Sequence, residues 1–110
     1  MIQQTINQIE AKIRDASSLS EANKAELAKL LATLKAEVTE LSRTDAEHAR
    51  SIAGFADVSA HEATRSRRKP ELLELSVDGL RSSVAGFEES HPRLVEIVNR
   101  IATTLSNLGI

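Results

Sequence analysis

Cysteine, tryptophan and tyrosine are absent from this 110-residue chain, and methionine occurs once. Without cysteine there is no disulfide framework, no thiolate metal site and no cysteine nucleophile. Two Phe, four Gly and two Pro are too few for a strand-rich fold, which draws on aromatic side chains and on turns built from glycine and proline. Charge of one sign is also missing. Fourteen Lys and Arg face sixteen Asp and Glu, a net charge of −2, and residues 1–55 and 56–110 each carry seven basic and eight acidic side chains. A domain that neutralises phosphates shows a basic excess, so nucleic acid is an improbable partner. No apolar run approaches the ~18 residues that span a bilayer. The opening Met1-Ile2-Gln3-Gln4-Thr5 has neither a basic n-region nor a long apolar h-region, so no signal peptide and a cytoplasmic location are expected.

What is present points to helix. Fifteen alanines and evenly spread aliphatic residues fill a 41% hydrophobic fraction, too much for intrinsic disorder. The length suits one all-α domain, 1–110, divided into an N-terminal helical hairpin (1–43) and a C-terminal helical part (44–110). Ile2, Ile6, Ile9, Ile13 and Ala16 are spaced 4, 3, 4, 3, the narrow seam of a coiled-coil-like helix over 2–17. Ser17 and Ser18 interrupt it. Ser18-Leu19-Ser20-Glu21 matches a capping box, with Ser20 an equally good N-cap. Leu27, Leu31, Leu34, Val38 and Leu41 repeat the spacing over 20–42. In the same register follow Asp45, His48, Ile52 and Phe55, so residues 20–66 read either as one kinked helix or as two. Thr44-Asp45-Ala46-Glu47 is a second capping box and favours a break.

A third helix is expected over 45–66. Ala49, Ala53, Ala56, Ala60 and Ala63 form a heptad-spaced stripe made wholly of alanine, flanked by Ile52 and Phe55. Pro70 then opens a helix over 71–88 with the seam Leu73, Val77, Leu80, Val84 and Phe87. One face over lie Leu72, Ser76, Gly79, Ser83 and Gly86. Two glycines inside a helix cost about 1 kcal/mol each relative to alanine. Close helix approach would offset that cost. The spacing therefore predicts an antiparallel pair with the alanine stripe against the Ser/Gly face. Ser90 reads as the N-cap of a last helix over 91–108, with the seam Leu94, Val98, Ile101, Leu105 and Leu108. Gly109 suits a left-handed closing position, with Ile110 folded back on Leu105. The sum is an all-α bundle of antiparallel helical hairpins with four to five helices.

Chemistry is harder to find. Histidines stand at 48, 61 and 91, and Arg65 occupies the place of the second histidine in a His-Glu-x-x-His motif begun at His61. Glu88-x-x-His91, echoed by Asp45-x-x-His48, has the spacing found in di-metal carboxylate bundles, which also need two further inward carboxylates. The plainer reading makes His91 a turn residue and Asp45 a solvated helix start. Arg65, Arg67, Arg68 and Lys69 form the strongest charge cluster. They could contact an anion, or simply complement a helix C-terminus. No nucleophile elbow and no phosphate loop occurs. No catalytic residue, cofactor or metal ligand is assigned.

The tail Phe87-Glu88-Glu89-Ser90-His91-Pro92-Arg93-Leu94, followed by Leu105-Ser106-Asn107-Leu108-Gly109-Ile110, resembles the C-terminus of a family of small helical bacterial proteins classed as a domain of unknown function. The likeness extends over the whole chain, its specific part being this tail. It implies a bacterial cytosolic protein and carries over no functional residue.

The expected function is that of a non-enzymatic helical protein that self-associates, as a homodimer or higher oligomer, and acts through protein–protein contact. The ground for this is the hairpin 2–41, whose apolar stripe must close either on its own chain or on another copy. A nucleic-acid or anionic-surface binder acting through residues 65–69 is the alternative, and a metal-binding carboxylate/histidine bundle a remote one.

Overall fold

The computed structural model describes residues 2–108, and all of their regular structure is helical. The helices are α1 (Ile2–Asp15), α2 (Glu21–Ser42), α3 (Ala46–Thr64), α4 (Pro70–Ser82) and α5 (Pro92–Leu108). The expected closure by Gly109 and Ile110 lies outside the described residues.

Side-chain pairings give the directions. Asn7 accepts from Lys35 Nζ at 2.7 Å, and Ile13 shares a depression with Lys24 and Ala28, so α1 and α2 run antiparallel. Lys12 meets Asp57 at 2.7 Å while Ile2 lies near Ala46 and Arg50, so α1 and α3 run parallel. Phe55 lies against Gly79 and His48 against the Ser83 carbonyl, which makes α3 and α4 antiparallel. Arg100 reaches Glu26 and Arg93 reaches Glu37, setting α5 antiparallel to α2. The result is an up-down-up-down-up bundle, in which short connections force consecutive helices to reverse. Its radius of gyration is 12.9 Å, close to the ~13 Å expected for a compact chain of this length.

One apolar core runs through all five helices. The hairpin stripe closes on its own chain. Ile6, Ile9 and Ile13 are 0–2% exposed, and α1 packs against both α2 and α3. The heptad seams of α2, α4 and α5 likewise point inward, with Leu27, Leu31, Leu34, Val38, Leu73, Val77, Leu80, Leu94, Val98, Ile101 and Leu105 buried.

Residues 20–66 form two helices. Ser42 and Thr44 hydroxyls donate to the Thr39 and Leu41 carbonyls of the last turn of α2, and the Thr39 hydroxyl to Lys35 O one turn earlier, competing with the helix's continuation. Asp45 then caps α3, its carboxylate accepting from the His48 N–H at 3.0 Å. The cap sits one residue later than the Thr44 box suggests. At α2 the cap is Ser20, whose Oγ accepts from the Asn23 N–H.

The 71–88 boundary needs correction. Pro70 is the first residue of α4, and the helix ends at Ser82. From there the chain tightens into successive three-residue turns, with Val84 N–H donating to Arg81 O, Ala85 to Ser82 O and Phe87 to Val84 O. Ser83 Oγ donates to Leu80 O, and Gly86 closes the run at φ +94°. Three-residue turns still place Val84 inside and Phe87 half inside, so the apolar spacing outlasts the helix. Ser90 is also displaced from its expected capping role. The first α5 bond runs from Val95 N–H to the His91 carbonyl, and Ser90 Oγ lies 3.0 Å from His91 Nδ1.

Candidate functional site: the groove between α3 and α4

α3 occupies the middle of the bundle and touches every other helix. Asp57 faces α1, Phe55 faces α4, and two residues at about 100° each separate those directions by about 200°. The alanine stripe points into the gap between them. Ala49, Ala53, Ala56, Ala60 and Ala63 are at most 1% exposed. They face the interior shared with α2 and α5, and their small size lets neighbouring helices close around α3. Ser59, on the same side, is fully buried and its hydroxyl has no partner.

The expected small-against-small pairing is therefore changed. Gly79 faces Phe55, and a Cβ built on it would stand 2.6 Å from the phenyl ring. The space left by glycine holds an aromatic edge. Ser76 and Ser83 are buried on this side of α4, each donating to a carbonyl three residues back. Gly86 takes no part in helix contact, because it lies beyond α4, exposed, in the turn its positive φ permits.

Outside this contact the surface becomes apolar. Phe55 is 42% exposed, Val58 48%, Leu72 40% and Leu75 69%, and these are the exposed large hydrophobic side chains among the described residues. All four line one groove between α3 and α4, with Gly79 and Ser76 on its floor and Glu62, Asp78 and Ser82 at its margins. Scattered surface leucines are ordinary; here, among the described residues, every large exposed apolar side chain lies on one groove. The larger depression between α1 and α2 has a charged rim of Glu10, Arg14, Glu21 and Lys24 and holds no such group.

The groove was not singled out from the sequence. Its signal was the set of apolar residues left over once the heptad seams were filled: Val58 and Leu75, beside Phe55 and Leu72.

The basic cluster lies at one end of the same helix pair. α3 stops at Thr64, so Arg65, Arg67, Arg68 and Lys69 occupy the connection to α4. Arg65 is held by Glu62 at 2.9 Å. Arg65 and Arg68 line a shallow depression with Ser17, Ser18 and Thr64, which the α1–α2 connection brings alongside.

The histidines assemble with an aromatic ring. His48 lies 4.7 Å from Phe87 between ring centroids, and His91 lies 5.7 Å from Phe87, edge-on. The Ser83 carbonyl can only accept, so His48 Nε2 carries the proton of that contact. The Glu88 carboxylate accepts from the Gly86 N–H. Among the described residues, no three His, Asp or Glu side chains come together as a metal ligand set. Nor does any described helix have the length and apolarity to cross a membrane.

A family model described as "Domain of unknown function (DUF4404)" matches residues 2–110. No curated protein and no solved structure matches the chain.

Proposed function

Because the chain belongs to the DUF4404 family, a domain of unknown function, we propose its role from its own surface: a non-enzymatic helical protein of the bacterial cytoplasm that self-associates through the α3–α4 groove. The observation that carries this reading is the convergence of Phe55, Val58, Leu72 and Leu75. The hairpin stripe that first suggested self-association is already satisfied within the chain, which moves the contact to α3 and α4. The occupant is a second copy. Twofold dimers are the commonest assembly of soluble chains, and they join the same surface patch of both copies, which lets one apolar groove cover the other.

The test is light scattering across a micromolar to millimolar concentration range. The wild-type mass should rise toward that of a dimer. Leu75→Glu should hold the protein monomeric without changing its circular dichroism, since that side chain is largely in solvent in the single chain. A wild type that remains monomeric throughout the range defeats the proposal.

The anion-contact reading rests on a different observation, the meeting of Arg65 and Arg68 with Ser17 and Ser18 across two connections. It requires a salt-sensitive rise in anisotropy with a labelled polyanion at low salt, and a flat titration removes it.

A further inference from the structure

We infer that the two copies meet groove to groove with their α3–α4 hairpins running in opposite directions, so that the basic connection of each copy lies over the acidic far end of the other. This rests on the self-association proposed above and adds its geometry.

The groove walls are built for helix packing. Phe55, Val58 and Glu62 on α3 are spaced 3, 4, and Leu72, Leu75, Gly79 and Ser82 on α4 are spaced 3, 4, 3. Two such ridges flanking a groove accept the ridges of a second helix pair at a shallow crossing angle and complete a four-helix arrangement.

Charge decides the direction. At the connection end, Arg67, Arg68 and Lys69 have no ion-pair partner among the described residues, and they outnumber Glu71 and Glu74 of the first α4 turns. The other end is acidic. Asp45 and Glu47 begin α3, while Glu88 and Glu89 follow α4 in the segment that the His48 contacts to Ser83 and Phe87 hold against α3. All four carboxylates are exposed. The cations near that end are engaged within the chain: Arg43 lies by Glu40, Arg50 lines a depression with Ile2 and Thr39, Arg81 sits between Asp78 and Thr103, and Arg93 reaches Glu37 on α2. Hairpins stacked in the same direction would bring the two acidic ends together. Reversing one copy replaces that repulsion with two attractions.

Absence of cysteine makes the geometry directly readable. Two single-cysteine variants, Glu47→Cys at the acidic end and Ser66→Cys in the basic connection, are prepared at exposed positions. Under mild oxidation, an equimolar mixture should form the mixed disulfide faster than Ser66→Cys forms a disulfide with itself. Adding Leu75→Glu to both should abolish the mixed product. The dimer should also weaken several-fold as salt is raised, because the end contacts are exposed and screened. Rapid self-linking of Ser66→Cys, with little mixed product, overturns the reversed arrangement and leaves self-association standing. A folded Leu75→Glu variant that still dimerises removes the groove, and with it both proposals.

Discussion

Gly79 shows how one side chain's absence shapes the surface. In a helix interior, glycine is about 1 kcal/mol less favourable than alanine. Here the missing Cβ is where the Phe55 ring lies, 2.6 Å from the position such an atom would take. The ring is partly in solvent and can swing outward, so Gly79→Ala should change stability little, with the propensity gain offset by the displaced contact. With Phe55→Ala already present, the same substitution should stabilise by about 1 kcal/mol. A double-mutant cycle in urea measures the difference. Equal effects in both backgrounds would show that the ring and the glycine are not coupled. The small-residue line was legible from spacing. That an aromatic edge, rather than alanine, fills its gap was not, because a one-position rotation about α3 separates Phe55 from Ala56.

At the scale of the element, α3 is defined by its alanines. A peripheral helix can carry leucine on its inner face, but α3 has neighbours on most of its circumference. Larger side chains would push those neighbours apart. Ala56→Leu should therefore overpack the centre of the bundle and destabilise by about 1–3 kcal/mol, read as a lower urea midpoint. An unchanged midpoint would place the stripe against a yielding surface. The starts of α2 and α4 were readable because Ser20 and Pro70 act locally, through a cap bond or a fixed φ, whereas the α3 cap fell to Asp45 rather than Thr44 and the α5 start to His91 rather than Ser90. The end of α4 was not. Serine back-bonding and a left-handed glycine ended it at Ser82, while three-residue turns kept Val84 and Phe87 near the positions a helix would give them.

At the scale of the whole molecule, the hairpin and the C-terminal helices share one core. Ile9 illustrates this, 1% exposed in a helix that packs on both α2 and α3. Ile9→Ala should cost about 2–5 kcal/mol, and the loss should be the same at every protein concentration. A loss that shrinks as the protein is concentrated would mean that α1 is buried by another copy. With that stripe satisfied internally, the large apolar side chains left exposed among the described residues are those of the α3–α4 groove, Phe55 and Val58 against Leu72 and Leu75, which are 14–20 positions apart in the chain.

Composition and period by themselves determined that the chain is helical, that it has four or five helices, which apolar seams they bury and that it has no cysteine chemistry. These follow from backbone propensity and from side chains repeating every 3.5 residues, both local properties. Tertiary structure decided where the hairpin closes, what fills the space at Gly79 and which apolar residues stay outside. Those depend on how five helices share limited interior surface. Once α3 had taken the centre, Phe55, Val58, Leu72 and Leu75 were the side chains the core could not enclose.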